Sequence, residues 1–294
     1  MFSILIPTFN NLEYLKICIE SIKKNSNFNH QIIIHINEGT DGTLEYVKNS
    51  NIDHTMSYKN IGMPKALNTA SKLSKKDYIL ISHDDFYYCP GWDLELLKNI
   101  KSINHNKFYL SSTMVGAGQV AFDAGQTVEN FNESKLLNNL ENIKTIDFQG
   151  TTKCPGLIHK EIWERVGGWS EEFSPTGGDD TDFAMKLWKI DIRIFKGLGK
   201  SLAYHFGSIT TRKKDNSLFT YLGSRGNKIF LLKWKISINF FEKFYLKSGL
   251  DKNKKLIFNE YDGPLKEPKK DLNFYLELII GKFKILYLYL IGFR

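Results

Sequence analysis

Three short apolar segments near the N-terminus, each followed by a helical pattern, constrain the fold of this chain most. The segments cover residues 2–7, 31–37 and 78–82, and each is a continuous run rich in isoleucine or leucine. Such runs predict buried strands, while the apolar residues between them recur at helical spacing. Strands that alternate with helices in this way predict βαβ units around a mostly parallel sheet flanked by helices, which is an α/β fold.

Polar residues follow each of these predicted strands. They occupy positions 7–10, 37–39 and 83–85, where the sequence reads PTFN, NEG and HDD. Because ligands bind outside the carboxyl ends of the strands in such sheets, we expect the three segments to converge on one crevice.

The middle of the chain is less regular. Helices are predicted at 90–97, 160–166 and 181–188, and strands at 192–195 and 202–205. Residues 115–150 show little periodicity and are predicted to form a lid or an acceptor-binding loop. Gly116–Ala121 fits a dinucleotide-binding fingerprint, but a poor helix former follows it, so we disfavour a Rossmann oxidoreductase.

The net charge of +8 is unevenly distributed along the chain. Residues 212–294 contain 18 Lys and Arg against 8 Asp and Glu, whereas residues 1–211 contain 22 against 24. This change predicts a main domain over 1–211 and a basic, aromatic, helical extension over 212–294. The extension is either an extra helical layer with solvated lysines or an interfacial surface that binds anionic lipid. Nucleic-acid binding is disfavoured, because no recognised module appears.

The cysteines and the hydropathy pattern indicate the cellular compartment in which the protein is expected. Cys18, Cys89 and Cys154 form no paired or metal-binding spacing, which favours a reducing compartment. No basic segment precedes the first strand, and no uncharged apolar run is long enough to cross a membrane. We therefore expect a cytoplasmic protein, with peripheral association on the inner face of the membrane as the alternative.

Two acidic clusters and one histidine are the candidates for chemistry. His83-Asp84-Asp85 either forms an ordinary turn or offers carboxylate oxygen to Mg²⁺ or Mn²⁺ on a diphosphate. The cluster at 177–182 either begins a helix or holds a general base beside a substrate hydroxyl. His205 is either structural or a metal ligand at a strand end. Each feature is weak alone.

The motifs taken together, in their order along the chain, are more specific than any one of them. They are SILIPTFN at 3–10, NEGTDGT at 37–43, NIG at 60–62 with Asn68, YILISHDDFYYCPGW at 78–92, GGW at 167–169 with Phe173, GDDTD at 178–182 and HFG at 205–207. Over residues 2–211 the chain resembles family 2 of the nucleotide-sugar glycosyltransferases, whose members have the GT-A fold.

The resemblance implies roles for individual residues. The expected nucleotide and donor contacts are Pro7, Thr8, Asn10, Glu38, Asn60, Lys65 and Asp84. The expected metal ligands are Asp85 and His205. Asp180 would be the catalytic base, and Asp179 beside it would contact the acceptor.

The resemblance also implies a reaction. A sugar would pass with inversion from a nucleoside-diphosphate donor to a hydroxyl of a glycan or lipid-linked acceptor. A divalent cation, Mn²⁺ or Mg²⁺, would stabilise the leaving diphosphate, and the base would take the hydroxyl proton. Three positions depart from the family pattern: His83, Glu38 and Leu67 replace the usual Asp, Asp and Arg. A non-catalytic relative that binds a nucleotide sugar or glycan is therefore the alternative.

Overall fold

The apolar segments at the N-terminus form parallel strands within a mixed sheet. The computed structural model describes residues 1–207, 216–250 and 256–293. The first four strands are β1 (Phe2–Phe9), β2 (Gln31–Asn37), β3 (Asp53–Ser57) and β4 (Tyr78–Ile81). β1 pairs in parallel with β2 and with β4, and β2 pairs in parallel with β3. Their carboxyl ends therefore lie at the same edge.

The remaining strands extend this sheet. They are β5 (Phe86–Tyr88), β6 (Phe108–Gly116), β7 (Phe148–Gln149), β8 (Gly156–His159) and β9 (Ile194–His205). The strand order is β3-β2-β1-β4-β8-β6-β9-β5, and β7 pairs with β9. β8 runs antiparallel to β4 and β6, whereas β6 and β9 are parallel. The predicted strands at 192–195 and 202–205 thus fall largely within one strand, which pairs with β6 on both sides of a bulge at residues 199–201.

Helices flank the sheet. In chain order they are α1 (Leu12–Asn25), α2 (Thr43–Asn49), α3 (Met63–Ser71), α4 (Trp92–Ile103), α5 (Glu133–Leu137), α6 (Lys160–Val166), α7 (Asp179–Lys189), α8 (Asn216–Trp234), α9 (Ile238–Phe241) and α10 (Leu272–Leu290). A π-helical turn at Glu242–Leu246 follows α9, and a hairpin pairs β10 (Ser248–Leu250) with β11 (Leu256–Phe258). The α/β class and the βαβ arrangement predicted from the sequence are confirmed.

The loops after β1 and β2 are joined at the start of α1. Asp41 accepts a hydrogen bond from the Leu12 amide at 2.9 Å, and Asn10 accepts one from the Thr40 amide at 2.9 Å. Asn11 occupies the N-cap position without a capping side-chain bond. A residue from the neighbouring loop therefore satisfies a free amide of the first turn.

The irregular middle segment packs against β5 and β9. Its residues pack into a second apolar cluster that includes Leu136, Tyr87, Tyr204 and Phe206. Gly116 begins a tight turn in which its amide donates to the Val120 carbonyl at 2.9 Å. The glycine pattern at 116–121 thus forms a turn rather than the start of a helix. Whether the segment acts as a lid stays a prediction.

The C-terminal helices pack on the rest of the protein. The boundary predicted at 211/212 lies outside the described residues. Beyond it, Phe230, Phe241 and Leu246 are buried in the same apolar core as the sheet. Lys233 and Trp234, at the end of α8, contact the Asp182 carboxylate. Among the described residues, no helix is both long and apolar enough to cross a membrane.

Candidate active site

The HDD segment lies between β4 and β5, at the carboxyl edge of the parallel strands. Asp84 and Asp85 are buried there. The Thr8 hydroxyl, from the end of β1, donates to Asp84 Oδ2 at 2.7 Å. Burial raises the pKa of Asp84 to about 7, and the adjacent charge of Asp85 acts in the same direction. The structure thus joins two of the three polar strand ends that the sequence places at one edge.

His205 is brought to Asp85 by the pairing of β5 with β9. These strands are antiparallel, with Phe86 opposite His205. His205 Nε2 lies 3.4 Å from Asp85 Oδ2, while its Nδ1 lies 2.5 Å from the Ala117 carbonyl oxygen. Because a carbonyl only accepts, Nδ1 carries the proton. Nε2, the other ring nitrogen, faces the Asp85 carboxylate, and a bond from Nδ1 to a backbone carbonyl is the arrangement that orients many metal-binding histidines.

His83 is the third member of this group, and the sequence did not predict it as a ligand. Its Nδ1 lies 4.0 Å from Asp85 Oδ1. One potential ligand atom from each of His83, Asp85 and His205 lies within 4.8 Å of the others. Two imidazoles and a carboxylate form a mixed nitrogen and oxygen donor set, which suits Mn²⁺ better than Mg²⁺. The residues present therefore fit a divalent cation.

The second acidic cluster lies in the first turn of α7. The helix begins at Asp179, two residues before the predicted start, and follows Gly178 at a φ of 80°. Asp179 accepts hydrogen bonds from the Thr176 hydroxyl at 3.1 Å and the Gly177 amide at 3.2 Å. Burial raises the pKa of Asp179 to about 7, and the negative charge of Asp180 adds to the increase.

Asp180 has a different environment because it forms an ion pair with Lys153. Burial alone raises the pKa of Asp180, but the Lys153 ammonium and the hydrogen bonds from Lys153 and Thr181 together outweigh burial and hold this pKa below its ordinary value. The Thr181 amide also donates to Asp180 at 2.8 Å. At neutral pH Asp180 is therefore ionised.

Lys153 was missed by the sequence analysis. It lies in the connection between β7 and β8, a segment without periodicity, and only the folded chain places it beside α7. Glu242, from the C-terminal extension, belongs to the same cluster. Burial raises the pKa of Glu242, the Lys153 charge opposes that increase, and the Thr181 side chain forms a hydrogen bond with the carboxylate. The extension thus supplies a side chain to this cluster.

The predicted nucleotide contacts divide into two groups. Pro7, Thr8 and Asn10 lie at the end of β1, and the Asn10 side chain donates a hydrogen bond from Nδ2 to Glu38 Oε2, after β2, at 3.4 Å. Asn10 and Glu38 both have positive φ angles, 46° and 64°. These residues and Asp84 therefore lie along adjacent strand ends.

Asn60 and Lys65 make other contacts. The Asn60 side chain accepts a hydrogen bond from the Gly62 amide at 2.9 Å, within its own turn. Lys65 Nζ lies 3.8 Å from a carboxylate oxygen of Glu171. Their described contacts do not join them to the other predicted donor-binding residues.

Two further motif positions are used for packing. The Asn68 side chain donates to the Trp169 carbonyl at 2.8 Å and accepts from the Trp169 amide at 2.9 Å. A Cβ on Gly168 would lie 2.3 Å from Asn68 Oδ1. These residues fix the loop between α6 and α7, and so support the position of Asp180 indirectly.

Several solved structures are similar to this one. S. aureus TarS 1-349 has a TM-score of 0.55 and 16% identity, over 83% of this chain and 72% of that one. The same protein in complex with UDP-GlcNAc has a TM-score of 0.50 and 17% identity, over 69% and 57%. GalNAc-T7 with UDP, GalNAc and Mn²⁺ has a TM-score of 0.54 and 13% identity, over 70% and 43%. At these identities the likeness shows a shared fold.

No curated protein sequence matches the chain significantly. Residues 3–160, more than half of the chain, match the model of glycosyl transferase family 2. That match includes the polar ends of β1, β2 and β4, and the similar structures support the predicted GT-A fold. The chain therefore belongs to glycosyl transferase family 2.

Proposed function

We propose that this protein transfers a sugar from a nucleoside-diphosphate donor to a hydroxyl of a glycan or lipid-linked acceptor. The observation that carries the proposal is the proximity of the two clusters. Burial lowers the pKa of His83 to about 4, and the charges of Asp85, Asp180 and Lys153 also act on this imidazole. The candidate cation site and the Asp180 carboxylate are therefore close enough for both to act on one imidazole, which supports a single site of the kind that transfer from a diphosphate requires.

The proposed cation site consists of Asp85, His205 and His83. A bound Mn²⁺ or Mg²⁺ would stabilise the charge of the leaving diphosphate as a Lewis acid. His205 Nε2 and the Asp85 carboxylate lie 3.4 Å apart, and the bond from His205 Nδ1 to the Ala117 carbonyl holds the ring in this orientation. The Mn²⁺ in the GalNAc-T7 structure makes Mn²⁺ the first cation to test.

The proposed donor site extends along the ends of β1, β2 and β4. Pro7, Thr8, Asn10 and Glu38 would contact the nucleoside, and Asp84 would contact the ribose or donor sugar. Asn60 and Lys65 would join this site from the start of α3, with Lys65 near a phosphate. Similar structures hold UDP or UDP-GlcNAc, which supports a uridine diphosphate sugar as the first donor to test.

The proposed base is Asp180. It is ionised at neutral pH and would accept the proton of the attacking hydroxyl, while Asp179 would position the acceptor. The mechanism needs one base opposite the leaving group and no carboxylate nucleophile, so it predicts inversion at the anomeric carbon. Lys153 would stabilise the ionised form of Asp180 before the acceptor binds.

We also propose 1–211 as the catalytic domain and 212–294 as an extension that contributes Glu242 beside the active site. The expected cytoplasmic location stays a prediction. A non-catalytic relative that binds a nucleotide sugar or glycan is the alternative, favoured by His83 at the position where the family has an aspartate.

The test is donor binding and turnover with a panel of nucleotide sugars, measured with Mn²⁺, with Mg²⁺ and with a chelator. We expect one donor to bind and to be hydrolysed slowly in a metal-dependent manner without acceptor. Binding that persists unchanged in chelator would contradict the cation site. Metal-dependent binding without turnover, with every acceptor class tried, would favour the non-catalytic alternative.

A further inference from the structure

The most extensive apolar surface of the described residues lies on α10. Its residues at 272, 276, 279, 283, 286 and 290 recur at spacings of four and three, which places them on one stripe of a helix. These side chains are between 48% and 78% exposed. We call this stripe the outer face; it consists of Leu272, Leu276, Ile279, Phe283, Leu286 and Leu290.

The opposite side of α10 attaches the helix to the protein. Phe274, Gly281 and Leu288 are buried and recur every seven residues. At about 100° per residue, they lie roughly opposite the outer face. Phe274 packs against Phe240 and Phe244, with ring centroids 4.9 and 5.2 Å apart. The helix is therefore fixed by one face while it presents the other outward.

Most charges around the outer face are positive, with the N-cap residue Asp271 as an acidic residue at one end. Lys282 and Lys284 are exposed on either side of it. Glu277, the acidic residue within α10, forms an ion pair with Lys243 at 2.5 Å. Lys235 follows the end of α8, and its Nζ lies 3.4 Å from the Tyr289 hydroxyl. Lys228, on α8, lies 5.1 Å from the Phe293 ring centroid. An anionic surface would complement this border.

The apolar surface is wider than a helix-pairing seam. A two-helix seam uses about two positions in seven and is bordered by residues of opposite charge. Here the outer face is bordered by Tyr275, Ile280 and Tyr287, which are also exposed. Tyrosine has an apolar ring and a polar hydroxyl, so it suits the boundary between acyl chains and headgroups.

We propose that α10 binds a membrane surface rich in anionic phospholipid. The outer face would enter the boundary between headgroups and acyl chains, with the helix lying in the plane of the bilayer. Lys282 and Lys284, together with Lys228 and Lys235, would contact the anionic headgroups. This proposal is independent of the proposed transfer reaction, because it needs neither donor nor cation.

The test is co-sedimentation of the full chain with vesicles, without substrate. The vesicles are phosphatidylcholine alone, or phosphatidylcholine mixed equally with phosphatidylglycerol. We expect binding to the mixed vesicles that weakens as salt increases. Phe283→Glu should abolish it, and the double change Lys282→Gln with Lys284→Gln should weaken it about tenfold or more.

The matched control is Tyr58→Glu, which introduces the same charge at an aromatic residue that is 96% exposed outside α10. It should bind the mixed vesicles like the unmodified protein. Far-UV circular dichroism and thermal unfolding of each variant establish that it is folded.

Light scattering without lipid tests whether a second copy of this chain covers the outer face instead of a membrane. A monomer that binds mixed vesicles supports the proposal. A dimer that binds no vesicles and that Phe283→Glu dissociates would overturn it in favour of a second copy of this chain. A folded monomer that binds neither vesicle overturns it as well, as does equal binding of Phe283→Glu and the unmodified chain.

Discussion

The Trp234 indole donates a hydrogen bond to Asp182 Oδ1 at 2.7 Å. Asp182 is fully buried two residues after the proposed base, and Lys233 lies 2.8 Å from the same carboxylate oxygen. The Ser170 hydroxyl donates to Asp182 Oδ2 at 2.5 Å. The end of α8 thereby holds the first turns of α7, so the C-terminal extension supports the position of Asp180.

We expect Trp234→Phe to reduce the free energy of unfolding by about 1–3 kcal/mol, because a buried carboxylate loses a donor. Urea denaturation followed by circular dichroism measures this loss. Tyr221→Phe, at an exposed tyrosine on the same helix, is the control and should change stability little. Equal stabilities of the two variants would show that the indole hydrogen bond is dispensable.

Asp180→Asn should lower kcat about 10²- to 10⁴-fold, because the amide cannot accept the proton of the acceptor hydroxyl. Donor affinity should change little, since the expected donor contacts lie on other elements. Rapid-quench kinetics and donor titration separate the two effects. Asp77→Asn, an exposed aspartate before β4, is the control. Near-normal turnover by Asp180→Asn would exclude this residue as the base.

Lys153→Met should move the acid limb of the pH profile of kcat to higher pH. The Lys153 ammonium holds the pKa of Asp180 down, so its removal raises that pKa and Asp180 is protonated over a wider range. At low pH the rate should therefore fall earlier than in the unmodified enzyme. Lys153→Arg keeps the positive charge, so its acid limb should lie at the same pH as that of the unmodified enzyme. A variant whose acid limb does not move would rule out this electrostatic role.

Asp85→Ala and His205→Ala should each weaken Mn²⁺ binding at least about tenfold. Electron paramagnetic resonance of free Mn²⁺ measures this without turnover. His83→Asp should retain Mn²⁺ binding and improve competition by Mg²⁺, because a carboxylate oxygen replaces an imidazole nitrogen. His105→Ala, at an exposed histidine, is the control. Unchanged Mg²⁺ competition in His83→Asp would exclude His83 as a ligand.

In the N-terminal half of the fold, the sequence predicts β1, β2, β4 and α1, because local rules decide them, but it does not predict the short strands β3 and β5. β1, β2 and β4 are continuous apolar runs, and α1 has a clear amphipathic pattern. β6 was missed because Ser111, Ser112 and Thr113 interrupt its apolar character. In the fold these hydroxyls are buried and form hydrogen bonds with Thr151, Ser201 and the Leu198 carbonyl. Those partners are distant in sequence, so periodicity does not reveal them.

In the candidate site too, the sequence reveals residues that follow a predicted strand but not residues placed by contacts distant in sequence. His83, Asp84 and Asp85 follow a predicted strand, so their location could be derived from the chain. Lys153 had no signal, because the contact with Asp180 depends on how the β7–β8 connection meets α7. Glu242 had none for the same reason, since it reaches this cluster from the extension.

Gly226 on α8 approaches the loop before α7 so closely that a Cβ there would lie 1.9 Å from the Gly177 carbonyl oxygen. Together with the Trp234–Asp182 bond, this contact has a consequence for recombination between family members. A crossover at the charge boundary near residue 211 would separate Gly226, Trp234 and Glu242 from the segment at 177–182 that they fit. Functional exchanges should therefore inherit both segments from one parent.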